Sequence, residues 1–191
     1  MLKKIAIALA AVVVVLAGVI VSRPDTFRLE RSAVIAAPPA VVFPMVDDFH
    51  NWAAWSPWEK LDPGMKRTFS GPAAGTGAQY AWAGNDQVGE GRMTIVESQP
   101  ESRIGIKLEF LKPWAATNDT LFVFSPDATG TRVSWTMEGR NNFMAKAFSL
   151  FASMESMVGP DFEKGLAAMK SAAEAEARRP AADPAESKPA S

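Results

Sequence analysis

Apolar and polar positions change rhythm three times along the chain. From Ile5 to Val21 there is no alternation: seventeen uncharged residues, rich in Ala, Val, Ile and Leu, follow Lys3 and Lys4. As a helix rising ~1.5 Å per residue they span about 26 Å, close to a hydrocarbon core of ~30 Å. From Thr26 the period is two, the mark of strands. Thr26–Ala36 reads as a strand that Pro38-Pro39 ends. Pro39–Val46 reads as a short apolar helix and His50–Ala54 as a further helical turn. Six more strands are expected at Lys66–Ser70, Ala78–Ala83, Val88–Glu97, Arg103–Leu111, Thr117–Ser125 and Thr131–Gly139. Gly84-Asn85-Asp86-Gln87, Pro100-Glu101-Ser102 and Pro126-Asp127-Ala128-Thr129-Gly130 have turn composition. Connections this short imply an antiparallel meander.

Alternation selects an inner face: Tyr80 and Trp82; Met93 and Ile95; Ile104, Ile106, Leu108 and Phe110; Phe122 and Phe124; Val133, Trp135 and Met137. A sheet apolar on one face needs a cover. The third rhythm supplies it. Asn142–Arg178 is helical and divides at Gly159-Pro160. After the division, Phe162, Leu166, Met169 and Ala173 form one stripe, and Pro160 suits the first helical position. Gly165 beside the stripe leaves room for a neighbouring backbone. Before it, Phe143–Val158 is apolar on more than one side, as suits a buried core segment, a lid over a cavity, or a surface that meets a membrane or a partner.

Composition narrows the picture. The chain has 191 residues, enough for one domain with a substantial core. Three parts are expected: residues 1–24 as membrane anchor or signal sequence, 25–179 as the folded domain, and 180–191, made of Ala, Pro, Ser and charge, as a disordered tail. The absence of an A-x-A site before Arg23-Pro24 favours an uncleaved single-pass anchor through residues 5–21 over a cleaved signal peptide. Lys3 and Lys4 orient it with the domain outside an inner membrane, although Arg23, Arg28 and Arg31 weaken that asymmetry. A net charge of −1 and scattered Lys and Arg give no case for nucleic acid.

Catalytic and metal motifs are scarce. The chain has no Cys and one His, His50, so neither a thiol nucleophile nor a zinc site is expected, and no cofactor is implied. There is no G-x-S-x-G elbow for a serine triad. Gly71-Pro72-Ala73-Ala74-Gly75-Thr76-Gly77 lacks the Gly-Lys-Ser/Thr ending of a phosphate loop. Glu90 with Arg92, and Glu138 with Arg140, read as solvated cross-strand charges or as polar handles in a cavity. Trp52, Trp55 and Trp58 fall within seven residues and either plug one end of the core or line a cavity mouth.

The order strand, two short helices, six-stranded meander and long closing helix resembles the SRPBCC superfamily (START-like, polyketide cyclase/dehydrase and lipid transport), and within it the membrane-anchored bacterial subfamily. The resemblance rests on Trp52–Glu59, Gly75–Asn85, Val88–Met93, Gly130–Trp135 and Asp161–Leu166, and covers about Thr26 to Ala177. It implies an α+β helix-grip fold: a curved antiparallel sheet of about seven strands around a long C-terminal helix, preceded here by one transmembrane helix. It also implies a deep cavity between sheet and helix for an apolar ligand. The residues expected to line it are Trp55, Trp58, Tyr80, Trp82, Met93, Ile95, Leu108, Phe110, Phe122, Phe124 and Trp135, with Phe148, Phe151 and Met154 as a lid. The function expected is membrane-tethered binding of a hydrophobic small molecule or lipid. The alternatives are a cyclase/dehydratase-like enzyme and a ligand-free envelope interaction domain with a filled core.

Overall fold

The structure, a computed structural model, describes residues 1–179. The expected tail, 180–191, lies outside the described residues. The element order is α1 (Leu2–Val21), β1 (Thr26–Ile35), α2 (Pro39–Val42), α3 (Pro44–Asp47), two 3-10 turns (Phe49–Ala54 and Pro57–Lys60), β2 (Lys66–Ser70), β3 (Gln79–Ala83), β4 (Glu90–Gln99), β5 (Arg103–Lys112), β6 (Ala116–Asp127), β7 (Gly130–Arg140), α4 (Phe143–Phe148) and α5 (Met154–Ala177). The strands form one antiparallel sheet in the order β1-β7-β6-β5-β4-β3-β2. Each hairpin neighbour pairs with the next, and β1 closes on β7. This is the α+β helix-grip fold that the sequence implies.

The antiparallel order fixes two ends. The lower end carries the start of β1, the finish of β7, and the β3–β4 and β5–β6 hairpin tips. The upper end carries the β2–β3, β4–β5 and β6–β7 turns, and α2 and α3 close it. The sheet curls where β4 shifts register against β5 between Ile95 and Glu97, leaving Val96 as an extra, outward residue.

Two helix boundaries differ from the sequence reading. Pro39–Val46 is two four-residue helices, because Pro44 starts a second one at Phe43's exit. The C-terminal segment divides at Ser149–Ser153 and not at Gly159-Pro160. Ser153 and Ser156 form a reciprocal capping box that starts α5 at Met154, and Pro160 is carried inside the helix. As the seventh helical residue, Pro160 forgoes the N–H that would bond Ser156 O.

α5 lies along β1. Arg31 reaches from β1 to Glu155 (2.5 Å) and Glu163 (2.7 Å), and Gly159 has no side chain to displace its guanidinium. Further up, Lys170 Nζ donates to Val34 O at 3.0 Å, and Glu174 accepts the Ala36 N–H at 2.9 Å. Lys170 and then that N–H hold the Glu174 carboxyl below the usual carboxylate range. Gly165 faces the Trp135 ring and Pro57, so the close neighbour it admits is an aromatic side chain as well as the proline ring.

Candidate functional site

Inward-facing side chains across the sheet fall into two zones. In the upper zone the space under α5 is filled. Trp135 stacks on Phe162 of α5 at 3.8 Å between centroids and on Phe122 at 4.9 Å. Trp55 meets Phe122 and Trp135 edge-on, and Trp52 lies 4.6 Å from Trp55. Their N–H groups are satisfied locally: Trp52 Nε1 donates to Val46 O and Trp55 Nε1 to Met45 O. Aromatic contacts of this kind add about 0.5–1.5 kcal/mol each beyond area burial. Trp55, Ile95, Phe122, Phe124 and Trp135 are all buried here as packing.

In the lower zone the inward side chains keep partial exposure. Register places Phe27, Gly139, Asn118, Leu108, Met93 and Tyr80 in one row across the sheet, with Phe110, Gly91 and Trp82 in the row below. Trp58, Trp82, Leu108 and Phe110 are half-buried there, as are Met154 and Val158 at the start of α5. Trp82 lies across Gly91, where a Cβ would come within 2.4 Å of its ring. Its Nε1 donates to Val88 O at 2.9 Å, and its ring meets Phe110 in a T-shaped contact. The β3–β4 turn that supports it needs glycine at Gly89, whose φ is +62° and whose Cβ would press on Lys112 O. The result is a partly exposed apolar cluster on the second 3-10 turn, β3 to β5 and the first turn of α5, the candidate groove.

One polar cluster sits at its edge. Tyr80 Oη donates to Glu59 Oε1 at 2.6 Å, and Arg67 Nε donates to Glu59 Oε2 at 2.7 Å. Arg67 Nη2 also donates to Glu59 O. The Glu59 side chain is only 8% exposed. Burial, then the hydrogen bond to Glu59 and its charge, push the Tyr80 phenol well above its ordinary pKa, so it stays protonated. Further inside, Thr120 Oγ1 and Trp135 Nε1 are buried on the inner face of β6 and β7 without a hydrogen-bond partner. Such groups cost ~1–3 kcal/mol each when left so. Asn118, next to Thr120 on that face, is also buried.

The expected lining residues are therefore split. Trp58, Trp82, Leu108 and Met154 are half-buried against the core in this zone, Phe110 lies against Trp82, and Tyr80 and Met93 are buried. Phe148 and Phe151 are exposed at the lower end, and Phe151 keeps 87% of its surface. The charged pairs lie in outward ladders: Glu90 with Lys112, Arg92 with Glu109, Glu138 with Arg28. Two hollows of about 280 and 300 Å³ lie elsewhere. The first is at the upper end beside His50 and Phe69. The second is between the β3–β4 turn and Lys112-Pro113, and neither includes an expected lining residue. The sequence reading missed Glu59, Arg67, Asn118 and Thr120. The last two had a signal, since stepping back by twos from Phe122 reaches both.

A curved antiparallel sheet gripping one long C-terminal helix defines the helix-grip class of folds. Residues 26–174 match the family described as Polyketide cyclase / dehydrase and lipid transport, and the chain belongs to it. No curated protein matches the sequence. Among solved structures, a protein from Chromobacterium violaceum is 21% identical over 79% of this chain and 99% of its own, with a TM-score of 0.55. The Aha1 dimer from Colwellia psychrerythraea is 14% identical over 78% of this chain and 96% of its own, at 0.57. The di-domain ARO/CYC StfQ from the steffimycin biosynthetic pathway is 12% identical over 80% of this chain and 52% of its own, at 0.61. These likenesses show the shared fold.

Proposed function

We propose that the chain is a membrane-tethered binding module that takes a hydrophobic small molecule or lipid into the lower groove. The observation that carries this reading is the two-zone interior: the upper half is packed solid, while aromatic and aliphatic side chains of the lower half stay partly exposed around inward polar atoms. A ligand pocket is mostly apolar with a few placed polar groups. Asn118, inward on the row of Leu108 and Met93, is suited to orient one oxygen-bearing end of such a ligand. The tether is α1, a 20-residue apolar helix with no buried residue. In this reading it crosses the inner membrane once, with Lys3 and Lys4 on the cytoplasmic side and the domain outside. The test is to purify the full chain from membranes in mild detergent and identify co-purifying small molecules by mass spectrometry, beside Leu108→Trp, which fills the groove. A stoichiometric apolar compound, lost in a folded Leu108→Trp variant, is the expected result. Equal recovery from both proteins, or an empty extract from both, would sink the proposal.

A second reading, a cyclase or dehydratase, is favoured by one feature, the Glu59–Tyr80–Arg67 cluster. A phenol kept protonated can turn its one proton from Glu59, which keeps its Arg67 partner, to a carbonyl oxygen as charge develops there. StfQ, a structural neighbour, is named as an ARO/CYC protein. This reading expects the wild type to cyclise a linear poly-β-ketone thioester and Tyr80→Phe to lose at least about tenfold in rate while still binding it. No turnover by the wild type would end it.

A further inference from the structure

Most of the domain's exposed large apolar side chains gather at the end from which α1 leaves; Phe69 and Val96 are exposed toward the other end. Trp114, on the β5–β6 tip, is 82% exposed. Phe143, Met144 and Phe148 project from α4, and Phe151 from the segment that follows; all are exposed, as is Met157. The upper-end turns at 71–77, 100–102 and 128–130 carry no exposed large apolar residue. Scattered exposed apolar residues are ordinary, but a one-ended gathering is not.

α1 is tied to this end. It stops at Val21 and β1 starts at Thr26, so four residues join them. Fully extended they reach only about 14 Å. They are also pinned. Arg23 Nη2 donates to Ser149 O at 2.9 Å and its Nε to Ser149 Oγ at 3.2 Å. Asn141 donates through its N–H to Asp25 O (2.8 Å) and through Nδ2 to Pro24 O (3.1 Å). Lys146 of α4 pairs with Asp25 and holds that carboxyl below its usual range. With α1 spanning a bilayer, the lower end has no room to stand away from it.

We propose that this end lies on the bilayer surface, with Trp114, Phe143, Met144, Phe148 and Phe151 seated in the headgroup region, so that the groove opens toward lipid. The proposal rests on the tether reading above. Trp suits that depth, since its ring is apolar and its N–H stays wet. α4 and the Trp114 tip then flank the groove as a rim through which a lipid-soluble molecule enters without crossing water.

The chain has no Cys, so single labels can be placed without background. The full chain, carrying an environment-sensitive fluorophore at Trp114→Cys, Phe148→Cys or Phe151→Cys, is reconstituted into phosphatidylcholine vesicles. Val13→Cys in α1 and Glu101→Cys at the upper end serve as references. Expected are blue-shifted emission at 114, 148 and 151 and strong quenching by lipid brominated near the headgroup, deeper-lying quenching at 13, and none at 101. Quenching at 13 alone overturns docking and leaves the tether standing. No quenching at 13 overturns the tether, and the proposal with it. Blue-shifted but unquenched labels at 114, 148 and 151 mean that protein covers this end, which also overturns the proposal.

Discussion

Glu109 joins two strands through one carboxylate. On the outer face of β5 it accepts from Arg92 Nε at 2.7 Å and Nη2 at 3.2 Å, across on β4, and from Lys107 Nζ at 3.0 Å. Arg92, and then Lys107, hold its carboxyl down to about 2, against an ordinary 4.5. A folded-state pKa below the unfolded one adds stability that is present above about pH 4.5 and lost as pH falls toward about 2. Arg92 and Lys107 are half exposed, so solvent screening keeps the contribution to about 1 kcal/mol or less. Glu109→Gln in the full chain, in detergent, should therefore unfold at lower urea than wild type at pH 7. The gap should narrow steadily below pH 4.5 and be nearly closed at pH 2. A gap that ignores pH would mean that Gln disturbs packing and that the charge is not the cause. This pair was visible in the sequence only as two charged residues on alternating positions; the register of β4 against β5 is what makes them partners.

At the scale of elements, most of the sheet was legible because its signal is local. The pleat forces a period of two, and the inner residues named from that period, from Tyr80 to Met137, lie on the sheet's inner face, covered by α2, the 3-10 turns and α5. The division of the last segment was not legible in the same way. Pro160 has a strong preference for a first helical position, yet a serine pair three residues apart overrides it by satisfying the first amides of an earlier start. The candidate site was half legible. Its apolar lining follows from alternation, whereas Glu59 and Tyr80 are 21 residues apart and meet only through the 3-10 turn and the β2–β3 hairpin. No periodic pattern encodes such a meeting. The solid upper zone was equally hidden, since aromatic residues on an inner face give the same pattern whether they fill a core or line a cavity. The capping box has its own consequence. Ser153 Oγ accepts the Ser156 N–H at 3.1 Å, and Ser156 Oγ accepts from the Ser153 N–H at 3.1 Å. Ser153→Ala should cost about 1 kcal/mol and speed hydrogen exchange at Met154 to Met157 before any other part of α5. Unchanged exchange there would show that packing of Met154 and Val158, and not the cap, starts the helix.

At the scale of the molecule, stability and function are, in the proposed reading, divided between the two ends. The upper zone joins β6, β7, the first 3-10 turn and α5 through buried rings, whereas α4 and the β5–β6 tip expose theirs. Local opening follows buried contact, so the free energy of opening should fall from the upper end to the lower. In micelles, the full chain should show its slowest amide exchange at Phe122 to Phe124 and Val133 to Trp135, and its fastest structured exchange in α4 and around Trp114. A ligand that enters from lipid needs such a gradient: the rim has to move while the scaffold that holds the inward polar atoms stays fixed. Transfer from micelles to phosphatidylcholine bilayers gives the decisive comparison. If the lower end rests on lipid, protection rises in α4 and the Trp114 tip and is unchanged in the upper zone. A uniform rise would instead mean that the bilayer stabilises the whole fold through α1, and no rise at the tip or α4 would separate the groove's mouth from the membrane.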